Sequence, residues 1–369
     1  MTANPIPFND FRRESEDLIQ AQLHAVDGVL RSGWWILGEQ VQAFESAWAA
    51  SCGTTAAVGV ANGLDAIEIG LRALGIGPGD EVITTSLTAF ATTLAIQRCG
   101  ATPVYADIEE STACLSPASV QRCISSVTRA VLVVHLYGRA ADLDALHELC
   151  RQHDLHLIED CAQAHGAQHA GRPVGSIGRF GAWSFYPTKN LGAIGDAGAL
   201  TSSDPDLVAK ARQLRNYGQS DRYHHDLAGL NSRLDELQAA LLLQRLPSLQ
   251  GWTERRRVIA NHFWQSIQHP DIVFLAPPSD ASSHVHHLFV LKTDRRDEFQ
   301  TYLAAMGIKT LIHYPVPCHH QKALSAHRVA PDGLVVTERH SASCVSLPIH
   351  PFLTDEEVEH VVASCNSFF

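Results

Sequence analysis

The stretch AAVGVANGLDAIEIGLRALGIGPGDEVITT, residues 56–85, decides the fold. Its opening, Ala56–Val60, is a short apolar run and reads as a buried strand. Ile67, Leu71 and Leu74 then recur at i, i+4 and i+7, the spacing of one helix face. Gly75-Ile-Gly-Pro-Gly-Asp80 is turn chemistry, and Val82–Thr85 reads as the next strand. Strand, helix, turn, strand is the unit that builds parallel sheets. The glycines at 75, 77 and 79 imitate a dinucleotide fingerprint. They follow a helix and precede a strand, however, which is the reverse of the order that fingerprint needs, and this removes a dinucleotide oxidoreductase from consideration.

The alternation continues outward. A helix is expected around Ala91–Arg98, a strand at Pro103–Ala106, and a buried β-rich run at Val131–Leu136. Leu143, Leu146 and Cys150 mark a helix, and Leu155–Ile158 another strand. The pattern predicts an α/β fold, a mostly parallel sheet with helices on both faces. Beyond it, Leu234 to Gln250 is a helical stretch ending near Pro247, and Trp252–Trp264 continues as a second helix. Leu288–Leu291 and Lys309–Ile312 look like strands, and segments near Phe299–Met306 and Asp355–Ser364 like helices. A large domain over 1–250, including the N-terminal segment, and a smaller α+β domain over 251–369 are expected.

Composition narrows the function. The 369 residues carry a formal net charge of -11, which argues against nucleic acid as partner because a phosphate backbone needs a basic footprint. Met1 to Leu18 has no apolar core of signal-peptide length, and no apolar run reaches the ~18 residues that span a bilayer. The nine cysteines show no close pairing, so a reduced, cytoplasmic setting is expected. The 21 histidines include the pairs His224-His225, His286-His287 and His319-His320, but neighbours in sequence diverge on a helix or strand. With no CxxC or HExxH, no metal is expected.

Open α/β sheets bind ligands beyond the carboxyl ends of their strands. Glu159 and Asp160 end the run from Leu155, and alternation lets only one of them face the crevice. Lys189 follows the aromatic strand Trp183–Tyr186, between Pro187 and Gly192 rather than among charges. A lysine amine can form an imine with pyridoxal phosphate while an aspartate keeps the ring nitrogen protonated. Spacing alone equally allows a structural ion pair between Asp160 and Lys189. Ala61-Asn-Gly-Leu-Asp-Ala66 adds a glycine turn from strand to helix, where free N–H groups face an anion, and Ser184 adds a hydroxyl.

These segments, with Gly75–Ile83 (GIGPGDEVI), Val134–Gly138 (VHLYG), Ile158–Gly166 (IEDCAQAHG), Ser184–Gly195 and Gly229–Ala239 (GLNSRLDELQA), resemble the sugar aminotransferases of the DegT/DnrJ/EryC1/StrS family, fold type I pyridoxal-phosphate enzymes. The resemblance implies that Lys189 is the Schiff-base lysine and shuttles protons. It places Asp160 at the pyridine nitrogen, Gln163 against the ring, and Gly63, Leu64 and Ser184 at the phosphate. Asn231 matches a residue that reaches the phosphate from a neighbouring subunit, which implies a homodimer with shared active sites. Arg233 belongs to the same segment, for cofactor, substrate or interface. Leu64 stands where many members carry Ser or Thr. Ala89 stands where an aromatic often stacks on the ring, with Phe90 one place later. Relatives that act as dehydratases carry histidine at the lysine position, so Lys189 implies transamination.

The segment Gly307–His319 (GIKTLIHYPVPCH), with residues 62–66 (NGLDA), resembles the branch acting on dTDP-3-oxo-6-deoxyhexoses. It implies a nucleotide-linked keto sugar and L-glutamate as substrates and a dTDP-3-amino-3,6-dideoxyhexose as product. His313 and Tyr314 are candidates for the sugar pocket, although Tyr314 beside two prolines equally suits a packed loop anchor. Tyr186, Tyr217 and His165 are further candidates. Amination at C4 of a dTDP- or UDP-linked 4-oxo sugar, amination of a keto-cyclitol, and a cofactor-binding regulator without turnover are the other readings.

Overall fold

The computed structural model describes residues 5–324 and 326–369, so the first four residues of the N-terminal segment lie outside the described part. Eleven strands matter for the site. In chain order they are β1 (Ala56–Val60), β2 (Glu81–Thr85), β3 (Thr102–Ala106), β4 (Thr128–Val134), β5 (His156–Asp160), β6 (Gly181–Ser184), β7 (Gly198–Ser202), β8 (Val273–Phe274), β9 (Phe289–Lys292), β10 (Arg328–Val329) and β11 (Cys344–Leu347). The helices are α1 (Glu16–Ser32), α2 (Glu39–Cys52), α3 (Gly63–Ala73), α4 (Phe90–Arg98), α5 (Pro117–Cys123), α6 (Leu143–Gln152), α7 (Pro205–Leu214), α8 (Glu236–Arg245), α9 (Leu249–Ser266), α10 (Arg296–Ala305), α11 (Val335–Ser343) and α12 (Asp355–Asn366).

One sheet runs in the order β1-β7-β6-β5-β4-β2-β3-β10. Every neighbouring pair from β6 to β10 is parallel, and only β7 runs against its two neighbours. Alternation sorts the strand residues onto two cores. Val131, Val133 and Leu157 join α2, α5, α6 and α8 on one face, while Ala130, Leu132 and Ile158 join α3, α4 and α7 on the other. Burial on both faces explains why these strands read as continuous apolar runs. The glycine turn before β2 is a turn and nothing more, with Gly75 and Gly79 at φ +78 and +93.

A third core joins α9, α10 and α12 to the small sheet β8-β9-β11. Two segments cross between the halves of the chain. Ile6 packs in this C-terminal core, and β10, from the C-terminal part, extends the edge of the large sheet. The break near Pro247 is a short 3-10 turn, Leu246–Ser248, from which α9 continues directly.

Three expected strands end differently. Lys309–Ile312 forms no strand, because Ile308 pairs with Ile6 and Leu311 with Ser346, so no two successive residues share a partner. β4 stops at Val134, and Leu136 opens a 3-10 turn, Leu136–Gly138, in which Tyr137 sits at φ +61. β6 stops at Ser184, and the chain turns with the Lys189 N–H on the Tyr186 carbonyl at 2.8 Å. Among the described residues, no helix is long and apolar enough to cross a membrane.

Candidate active site

Asp160 ends β5 and Lys189 lies on the turn after β6, and these strands are parallel neighbours, so both groups emerge at the same sheet edge. Glu159, one residue earlier, faces away. Its carboxylate takes His135 Nε2 at 3.0 Å and the N–H groups of Gly175, Ile177 and Gly178 at 2.7, 2.9 and 2.7 Å. Burial pushes the Glu159 pKa up, but these donors outweigh it and hold it below the usual range. Glu159 is therefore structural, and Asp160 is the acid of the crevice.

Asp160 is 5% exposed. Its Oδ2 accepts from Thr92 Oγ1 at 2.8 Å, and its Oδ1 from the Ala162 N–H at 3.1 Å. Burial raises its pKa, and those two donors and the charge of Lys189 reverse only part of the rise. Burial lowers the Lys189 pKa from 10.5 to about 8, against the charge of Asp160, which raises it. The structural ion pair that spacing allowed is absent, because Lys189 Nζ reaches no carboxylate within 4.0 Å among the described residues. The amine and the carboxylate feel each other's charge without pairing, across a gap wider than 4.0 Å.

Gln163 braces the wall of that gap. Its Oε1 accepts from the Tyr137 N–H at 2.6 Å, and its Nε2 donates to Tyr314 Oη at 3.1 Å. The Tyr137 hydroxyl donates to the His313 carbonyl, and His313 Nδ1 meets Ser346 Oγ at 2.8 Å. Burial, then the charge of Lys189, takes the His313 pKa down to about 4, and burial pushes Tyr314 well up. Both groups are thus neutral at pH 7.

The anion cradle lies at the start of α3. Asn62 caps the helix by accepting the Asp65 N–H at 2.9 Å, while the first-turn N–H groups of Gly63 and Leu64 have no partner among the described residues. Ser184 approaches so closely that a Cβ on Gly63 would lie 2.7 Å from the Ser184 Cβ, and one on Gly198 would lie 2.4 Å from the Asn62 carbonyl carbon. Glycine is required at both positions. A hydroxyl beside two bare amides at a helix N-terminus fits a phosphate.

Other expected residues lie elsewhere. Tyr186 is 51% exposed at the rim. Arg233 donates to Asn216 Oδ1 at 3.0 Å and stacks over Tyr217 at 5.3 Å, and Asn231 bridges to Asn216. Asn231, Arg233 and Tyr217 form one surface group, and none of their hydrogen bonds or ring contacts reaches Lys189, Asp160 or Gln163. His165 is fully buried, with its ring 5.4–5.7 Å from those of Trp48, Trp183 and Phe185. It belongs to the core behind the crevice rather than to a pocket wall. Phe90 packs against the large core, and Ala89 is the N-cap of α4. Sequence reasoning passed over Thr92 and Tyr137. Thr88 and Thr92, four apart at the start of α4 and 2.9 Å from each other, were the available signal for Thr92.

Fold and site together define an enzyme of the aminotransferase type. The chain belongs to the DegT/DnrJ/EryC1/StrS aminotransferase family, whose model matches residues 16–366. It is 44% identical to the dTDP-3-amino-3,4,6-trideoxy-alpha-D-glucose transaminase of Streptomyces venezuelae, over 97% of this chain and 94% of that protein. It is also 44% identical to the dTDP-3-amino-3,6-dideoxy-alpha-D-galactopyranose transaminase of Aneurinibacillus thermoaerophilus, over 98% and 99% of the two chains. The crystal structure of S. venezuelae DesV in complex with a ketimine intermediate superposes with a TM-score of 0.94 at 43% identity, covering 99% of this chain and 98% of that one.

Proposed function

We propose that this chain is a pyridoxal-phosphate-dependent aminotransferase that carries an amino group from L-glutamate to C3 of a dTDP-linked 3-oxo-6-deoxyhexose. The observation that carries the reading is the unpaired Lys189 amine facing Asp160 beside the bare N-terminus of α3. The residues fit the cofactor. Gly63, where a Cβ would press on Ser184, keeps the bare amide turn beside the Ser184 hydroxyl for a phosphate, and the Lys189 amine and Asp160 carboxylate, which feel each other without pairing, suit the imine and the ring nitrogen. Bound there, the cofactor supplies the electron sink that makes a C–H bond beside nitrogen acidic. Lys189 Nζ takes the proton from the donor's α-carbon and later returns one to the sugar carbon that receives nitrogen. A pKa of about 8 gives it a usable neutral fraction near pH 7. Asp160 is the anion for a protonated ring nitrogen, held in place by Thr92 and the Ala162 N–H. Gln163 steadies the ring face and positions Tyr314, which with His313 lines the sugar side.

The relatives named above are transaminases of dTDP-3-amino sugars, which supports C3 over C4. The active unit we propose is a homodimer. Leu30, Trp34, Trp35 and Ile36 are between 41% and 63% exposed and give each chain an apolar face, and the surface group of Asn231, Arg233 and Tyr217, which bonds to nothing in this chain's own crevice, supports the same reading. The cytoplasm is the proposed compartment, supported by nine unpaired cysteines, and 1–250 and 251–369 are the proposed domains.

The test is incubation with glutamate and either dTDP-3-oxo- or dTDP-4-oxo-6-deoxyhexose, with the product identified by mass and NMR. A 3-amino product from the first substrate alone is expected. Turnover of the 4-oxo sugar alone transfers the site to C4 chemistry, and turnover of neither removes the sugar assignment. Lys189→Ala should lose the visible imine absorbance, and an unchanged spectrum would end the lysine assignment.

A further inference from the structure

Away from the crevice, the histidine pair that the sequence left without a role converges on a carboxylate. His319 and His320 lie on a 3-10 turn, Cys318–His320, entered through Pro317. On this turn their rings come together, with centroids 3.9 Å apart. Glu338 Oε1, from α11, lies 3.2 Å from His319 Nε2 and 3.9 Å from His320 Nε2. One ligand atom from each of the three residues can be chosen so that all lie within 4.8 Å of one another.

Bonds of ~2.1 Å in a tetrahedral site separate the ligand atoms by roughly 3.4 Å. The His319–Glu338 edge is already at that length. The remaining closure falls to His320 and Glu338, whose side chains are 56% and 52% exposed and free to adjust. His319 is the fixed member. Its Nδ1 meets Ser86 Oγ at 2.7 Å, and its own N–H donates to the same oxygen at 3.0 Å. Occupation of one ring nitrogen by a second-layer partner, with the other aimed at the ligand position, is how metal-binding histidines are held. The turn itself is pinned by the Cys318 N–H on the Ser86 carbonyl at 2.9 Å.

The contrast with the other convergent group is informative. His135, Glu159 and Cys161 also meet, but both Glu159 oxygens are already taken by His135 and three backbone N–H groups. That group is closed, whereas the His319 group is open to solvent on one side.

We propose that His319, His320 and Glu338 form a surface site for a divalent transition-metal ion of the zinc type, which staples the turn Cys318–His320 to α11. Two imidazoles and one carboxylate suit such an ion, with water completing its shell. The site stands apart from the aminotransferase reading and touches none of its residues. An ion there ties down the segment that follows Tyr314, and so stiffens one rim of the crevice.

The test uses the holoenzyme prepared without a histidine tag. It is equilibrated with zinc chloride and dialysed against metal-free buffer, and retained zinc is counted by mass spectrometry. One zinc per chain is expected, and the double variant His320→Ala, Glu338→Gln should retain none, with its circular dichroism unchanged because both side chains are exposed. Ser86→Ala, which keeps all three ligands but releases the ring, should bind zinc about 10–100-fold more weakly. A native chain that retains no zinc overturns the proposal. So does a double variant that retains as much as the native chain, which would leave the three residues as a plain histidine–carboxylate contact.

Discussion

In the proposed reaction Lys189 has to be cationic when it holds an anion and neutral when it attacks or takes a proton. Burial moves its pKa down to about 8, and Asp160 moves it back up part of the way. With a pKa of 10.5, roughly one amine in 3,000 is neutral at pH 7, and with a pKa near 8 roughly one in ten. Capture of pyridoxal phosphate by the cofactor-free chain should therefore speed up about tenfold per pH unit below 8 and level off above it. Asp160→Asn removes the charge that raises the lysine pKa, so the levelling should shift to lower pH. Stopped-flow absorbance reads both profiles. A variant profile that shifts upward or stays in place contradicts the electrostatic coupling between the two residues. Both residues were readable in the sequence because Asp160 ends a strand and Lys189 follows closely on one. Thr92 and Tyr137 were not. Thr92 meets Asp160 across 68 residues and Tyr137 meets Gln163 across 26, and no local periodicity records such contacts.

The elements explain why part of the chain was legible and part was not. The β1-α3-β2 unit follows from local pattern alone, since apolar spacing, the Asn62 cap and the turn glycines agree with one another. Lys309–Ile312 carried a strand-like composition, yet it meets Ile6 and Ser346 one residue at a time, and only tertiary placement decides that. His319-His320 was read as divergent because a helix or strand was assumed, and the 3-10 turn reversed it. Glu236 is a further long-range device. Its carboxylate accepts the N–H groups of Gly38, Gln40 and Val41 at 2.8, 2.9 and 2.9 Å, capping α2 from the first turn of α8. It is 3% exposed, so truncation strands buried donors as well as removing a cap. Glu236→Ala should cost about 3 kcal/mol in denaturant unfolding, and Glu236→Gln, which keeps one oxygen, clearly less. A loss below about 0.5 kcal/mol in Glu236→Ala would show that solvent replaces the cap.

At the scale of the molecule, the histidines set how the fold responds to acid. His165, His284, His286, His287, His313, His340 and His350 all have pKa values pushed below 6.5, with burial the largest cause in each. For His165 and His286 the values fall to about 3, and for His313, His340 and His350 to about 4. These groups stay neutral in the folded chain and take up protons at about 6.5 when it unfolds. The unfolded state therefore binds more protons in the window from about 6.5 down to about 4, and stability is lost as pH falls through it. Each histidine contributes up to about 1.4 kcal/mol per pH unit inside that window. The carboxylates held low, Asp10 at about 2 among them, pull the same way only nearer their own range, below about 4. Histidine thus governs the first phase of acid loss and carboxylate the second. Urea midpoints should fall gently from pH 7.5 to 6.5 and steeply between 6 and 5. His340→Gln removes one titrating group whose Nε2 lies 3.0 Å from the Tyr137 hydroxyl and keeps an amide there, so it should flatten the fall. A midpoint that stays level to pH 5, or a variant as steep as the native chain, would place the acid sensitivity elsewhere.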